Sequence, residues 1–196
     1  GTSLATVPLP FYRVTNLGSL GGGTTTGYGI NDAGHVVGRS GTGGPYSHAF
    51  VHANGVMSDL GTLEGTTFSA AYAINASDQI VGVSGERPFL YRNGTLFDLK
   101  SLDPSIVRGW ASGINVSGQV TGTITQITPT DPMGRQTHGF LSSGSLLAAL
   151  PSTRRANDIS DTGTVVGVTA ERPFAYSNGV TTEIGGSNIL RICEAT

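Results

Sequence analysis

Ile30-Asn31-Asp32-Ala33-Gly34-His35-Val36-Val37-Gly38 is the first of four copies of one pattern, Ile-Asn-x-x-Gly-x-Val-x-Gly or a close variant. The others run Ile74–Gly82, Ile114–Gly122 and Ile159–Gly167, so the pattern recurs after 44, 40 and 45 residues. A period of about 40–45 residues marks a propeller blade or another repeat array. Read locally, the pattern is a hairpin: Ile30 ends one strand, Asn31 to Gly34 turn, and Val36-Val37 begin the next. Gly34, Gly118 and Gly163 are expected in the left-handed region, which costs other residues energy. Asp78 takes that place in the second copy, and Asp tolerates it better than most.

Downstream, each copy reaches a second signature ending in Phe: His48-Ala49-Phe50, Arg87-Pro88-Phe89, His138-Gly139-Phe140 and Arg172-Pro173-Phe174. A tight turn follows at Asn54-Gly55, Asn93-Gly94, Ser143-Gly144 and Asn178-Gly179. Asn-Gly between alternating apolar residues is the strongest short hairpin signal, because both turn positions need positive φ. A further strand comes next, as in 56–61 and 95–100. Each copy therefore supplies about four strands. The expected fold is all-β, a small β-propeller of four blades of about four strands each, in a single repeat domain spanning 1–196. Tyr12 to Leu17 reads as one more strand with no copy before it, and 180–184 repeats it at the far end. One strand is thus left over, a site for pairing with another chain.

The bulk composition agrees with numerous short strands: 30 glycines, 12% charged and 37% hydrophobic residues in 196. A net charge of −2 with no basic stripe argues against nucleic acid as a partner. No apolar run approaches the roughly 20 residues that cross a bilayer as a helix. Gly1 to Pro10 lacks a charged n-region and a long apolar segment, so no signal peptide is read there. That suits a mature secreted chain as well as a cytosolic one. Cys193 is the sole cysteine, which excludes an internal disulfide and a Cys-based metal cluster.

The chain resembles the extracellular HAF-repeat family, named for the His-Ala-Phe found here at 48–50. The resemblance rests on Leu17-Gly18-Ser19-Leu20-Gly21-Gly22, Ile30–Gly38, His48-Ala49-Phe50 and Asp59-Leu60-Gly61-Thr62-Leu63, and covers about residues 12–186. It implies a bacterial secreted or surface protein and brings no established activity or catalytic set. Three copies depart from His-Ala-Phe.

The second and fourth copies match closely and carry short connections to the Phe strand. The first and third carry long ones, 39–47 and 123–137, rich in Gly, Thr, Pro and polar residues. In a ring of four, these two would fence one face, where a ligand is expected. Tyr46 on the first, and Asp131 and Arg135 on the third, are candidate contacts. Trp110, just before a hairpin strand, is read as core or as a platform for a sugar.

His48, Arg87, His138 and Arg172 fall at equivalent places. Pointing inward they would make an anion-binding ring. Otherwise they tie strands together, with Asp59 and Asp98 as partners. No catalytic residue, metal site or cofactor is expected. Calcium needs several carboxylates per site, and only Asp32 and Asp161 lie near the turns. His48 and His52 would sit about 13 Å apart on a strand, too far for one tetrahedral metal. No Gly-x-Ser-x-Gly elbow occurs, and Glu86 and Glu171, the one equivalent acidic pair considered, each precede an arginine. The functional expectation is a secreted or cell-surface binding module whose ligand is a glycan or protein on the long-loop face. The alternatives are a polysaccharide hydrolase or lyase at the channel mouth, and a structural protein that self-assembles through strand 180–184.

Overall fold

The computed structural model describes residues 14–128 and 131–185, with side chains described outside 128–133. Four antiparallel sheets of four strands follow one another, and in each the strands lie side by side in chain order. Sheet 1 contains β1 (Thr25–Ile30), β2 (Val36–Gly41), β3 (Ser47–Ala53) and β4 (Val56–Gly61). Sheet 2 contains β5 (Ser69–Ile74), β6 (Ile80–Ser84), β7 (Arg87–Arg92) and β8 (Thr95–Asp98). Sheet 3 contains β9 (Ile106–Ile114), β10 (Val120–Thr128), β11 (Asp131–Ser143) and β12 (Leu146–Ala149). Sheet 4 contains β13 (Arg155–Ile159), β14 (Val165–Val168), β15 (Pro173–Ser177) and β16 (Val180–Glu183). Among the described residues no helix is long and apolar enough to cross a membrane.

The turn chemistry explains the hairpins. Gly34, Gly118 and Gly163 have φ of 78°, 75° and 84°, and Asp78 adopts 57° in the same place. Both residues of Asn54-Gly55, Asn93-Gly94 and Asn178-Gly179 have positive φ, the twist that matches the flanking strands. In Ser143-Gly144 only the glycine does.

The last glycine of the pattern is required by close approach. Gly38, Gly82, Gly122 and Gly167 pair directly with Phe50, Phe89, Phe140 and Phe174 on the next strand. A Cβ there would collide with a first-strand carbonyl in every copy, and with the Phe ring as well in sheets 1, 3 and 4. The four rings are completely buried.

Between sheets, β5 packs on β1, β2 and β3, β9 on β5, β6 and β7, and β13 on β9, β10 and β11. Three hydrophobic clusters of buried residues each span two successive sheets. The first includes Val37, Ile74 and Phe89, the second Val81, Ile114 and Phe140, and the third Ala156, Ile159 and Phe174. Among the described residues none of them joins sheet 4 back to sheet 1.

A second link is polar. Asn31 Nδ2 donates to the Asn75 carbonyl (3.1 Å), Asn75 Nδ2 to the Asn115 carbonyl (2.9 Å), and Asn115 Nδ2 to the Ser160 carbonyl (3.1 Å). Asn31 Oδ1 and Asn75 Oδ1 each also accept two amides of their own turns, and Asn115 Oδ1 accepts the Gln119 amide. One residue type thus shapes the turn and fastens it to the next sheet.

Three expectations change. No spare strand exists among the described residues: β16 is the regular fourth strand of sheet 4, and 14–17 forms no strand. Tyr12 and Arg13 lie outside the described residues. Most of 123–137 is not loop but an extended hairpin, pairing Thr123 with Gly139 through Ile127 with Arg135. The β-branched run Thr-Ile-Thr-Gln-Ile-Thr of 123–128 favours a pleated strand. Finally, β8 stops at Asp98, whose carboxylate accepts the Lys100 amide and caps a 3-10 turn at Leu99–Leu102.

Candidate functional site

The first strand of every sheet carries the same irregularity. Register shifts leave one extra residue at Tyr28, Tyr72, Ser112 and Asn157. Such bulges bend the strand and re-aim a side chain. Here they recur within a small-x-small-Ile frame just before the turn, three of the four reading Gly/Ala-x-Gly/Ala-Ile and the fourth Ala156-Asn157-Asp158-Ile159.

Three of the bulged residues, Tyr72, Ser112 and Asn157, lie around Trp110, which is half-buried on β9. One cavity of about 330 Å³ is lined by Tyr72, Trp110, Ser112, Arg155 and Asn157, all on first strands. A second, of about 340 Å³, has Glu86, Arg108, Trp110, Thr125 and Thr137 in its wall. A third, of about 480 Å³, is bounded by Trp110, Thr123, Thr137, Arg154, Arg155 and Val168. The indole is common to all three. The Arg155 guanidinium carbon lies 6.0 Å from the indole centroid, the outer limit of a cation–π contact. Tyr28 and Tyr72 meet edge to face at 5.5 Å. Burial, and then the neighbouring Tyr28, push the Tyr72 hydroxyl above its ordinary pKa, with Arg39 opposing. It therefore stays a neutral donor at physiological pH.

Thr123 Oγ1 is the one buried side-chain polar atom without a partner among the described residues. Leaving a hydroxyl unpaired costs about 1–3 kcal/mol, and this one belongs to the wall of the third cavity. An indole with three arginines, five hydroxyls and an amide around it provides a stacking surface plus donors for oxygen-rich ligands. Among these linings Glu86 is the one carboxylate.

The four equivalent basic residues are held elsewhere. His48 Nδ1 contacts Asp59 Oδ2 at 2.9 Å. Arg87 donates to Asp98 Oδ2 at 2.7 Å and to the Glu64 carbonyl. Arg172 Nε lies 3.9 Å from Glu183 Oε2 and its NH1 donates to the Gly185 carbonyl. These three are thus tied to their own sheets rather than gathered into an anion-binding ring. The reason is an acid on the fourth strand beside the Phe: Asp59, Asp98 and Glu183 pair with Phe50, Phe89 and Phe174. In sheet 3 that position is Ala149. His138 accordingly has no such acid and lines a cavity of about 500 Å³ with Thr137, Thr153 and Arg154.

Of the loop candidates, Tyr46 is half exposed and Arg135 is exposed on β11. Neither lines the cavities around Trp110, and the side chain of Asp131 lies outside the described residues. Thr123, Thr125 and Thr137 of the extended hairpin do line them. Sequence reading weighed Trp110 but missed Tyr72, Ser112, Arg155 and Asn157. The signal available was their fixed distance before the Ile of each copy. Neither the models of known protein families nor the curated proteins yield a match to this chain.

Proposed function

We propose that the chain is a secreted or cell-surface binding module of the HAF-repeat type, and that it recognises a glycan on the surface around Trp110. Its four meander sheets are blades of a β-propeller, stacked in chain order through their first strands. That order and the recurring 40–45-residue unit support the architecture. A single observation carries the ligand class: one half-buried indole shared by three cavities that also hold Arg108, Arg154, Arg155, Ser112 and Asn157. Sugar rings stack their C–H faces on an indole, and their hydroxyls and carboxylates take hydrogen bonds from such groups. The arginines favour acidic sugars.

The test is binding to an array of neutral and acidic polysaccharides with the native chain and with Trp110→Ala. Tenfold or greater loss of binding in the variant, with an unchanged circular dichroism spectrum, supports the reading. Equal binding by the variant, or binding abolished instead by Tyr46→Ala, moves the site away from Trp110. Cleavage of any array member would replace the binding module with an enzyme.

A further inference from the structure

The two ends of the array carry the two halves of an interface that the chain builds three times internally. Its receiving half is the first strand of a sheet. There Ile74, Ile114 and Ile159 are 8%, 8% and 6% exposed, whereas Ile30 is 67% exposed. Gly27 is likewise exposed where Ala71, Ala111 and Ala156 are completely buried. The covering half lies on the second and third strands. Val37, Val81 and Thr121 are fully buried by the following sheet, whereas Val166 at the same position in sheet 4 is 41% exposed. Val168 and Pro173 are exposed beside it, although their counterparts Val83 and Pro88 are buried.

We infer that the exposed face of sheet 4 packs on the exposed face of sheet 1 of a second copy, head to tail. The occupant is specified by what covers each half inside the chain. Val37 and Ile74 belong to one core cluster, and Val81 and Ile114 to another, so Val166 is matched by an isoleucine of the Ile30 type. The polar ladder agrees. The Asn75, Asn115 and Ser160 carbonyls each accept both a turn amide and the preceding asparagine, whereas Asn31 O has its turn amide alone among the described residues. Head-to-tail contact is heterologous, and it forms a ring when the rotation from copy to copy closes and an open filament when it does not. Two copies satisfy all four faces in a ring of eight sheets, within the usual propeller range. The seam would lack one rung, because Ser160 stands where an asparagine would reach across.

Light scattering on the full chain should give twice the 20.1 kDa chain mass. Ile30→Asp and Val166→Asp alter exposed side chains, so each should stay folded and run as a single chain. Mixed together they should recover a dimer, since one of its two seams is then fully native. Ser160→Asn should tighten the native dimer several-fold. A single-chain mass at all concentrations overturns the inference, as does an open-ended ladder of masses. A dimer indifferent to both aspartates also overturns it, and points to strand β16. None of these readouts involves glycan, so they stand apart from the Trp110 test.

Discussion

Ile74 and Ile30 hold the same place in two copies of one pattern, yet one is sealed in a core and the other faces solvent. The residue alone does not decide burial; the presence of a neighbouring sheet does. Tyr72 and Tyr28 repeat the contrast two residues upstream, as do Asn75 and Ser160 in the ladder. Interior and end positions therefore share sequence and differ in energetics.

The widest gap is expected between two isoleucine truncations. Ile114→Ala removes a side chain from the core between sheets 2 and 3 and should cost about 2–5 kcal/mol. Ile30→Ala should change the stability of the isolated chain by no more than about 0.5 kcal/mol. Urea unfolding at a concentration below association measures both, and equal losses would erase the distinction between ends and interior.

A smaller gap separates Asn75→Ala from Ser160→Ala. The first breaks the rung to Asn115, the bond to Gln79 Oε1 and two turn amides at a buried site, a loss of about 2–3 kcal/mol. The second gives up the Thr164 amide and the Thr162 hydroxyl at an exposed turn, about 0.5–1 kcal/mol.

The smallest effect sharpens the tyrosine pair. Tyr72 should ionise above the ordinary 10.0 in an alkaline absorbance titration, and Tyr72→Phe should remove that transition. Its raised folded pKa means the fold holds the proton more tightly than the unfolded chain. The stability it contributes is complete below about pH 10 and falls as pH rises through the folded value. The native chain should lose stability over that window more steeply than the Phe variant.

Much of this architecture was readable beforehand. Gly34, Asp78 and the Asn-Gly turns announce their backbone by residue type, and the Gly–Phe spacing announces the ring that covers each glycine. The bulged residues were not readable, because Tyr, Tyr, Ser and Asn share no chemistry and only their position is common. The extended hairpin reads as loop because its Thr and Gln are polar, although β-branched Thr and Ile are strand formers. The fate of His138 was legible in principle: Ala149 replaces the acid that occupies the other three fourth strands. What no residue could announce was the exposure of Ile30, against which no described sheet packs.

The asparagine ladder also gives the molecule a direction. Every rung runs from a side chain to the carbonyl of the following copy, never backward, so the array has a grammar in which each unit addresses its successor. A gene duplication that inserts one more unit anywhere inside it gains a rung and breaks none, whereas an inverted arrangement could not be spelled at all. Growth by whole units is thereby cheap for evolution, and serine at position 160, which has no amide to donate, is the one copy that addresses no successor.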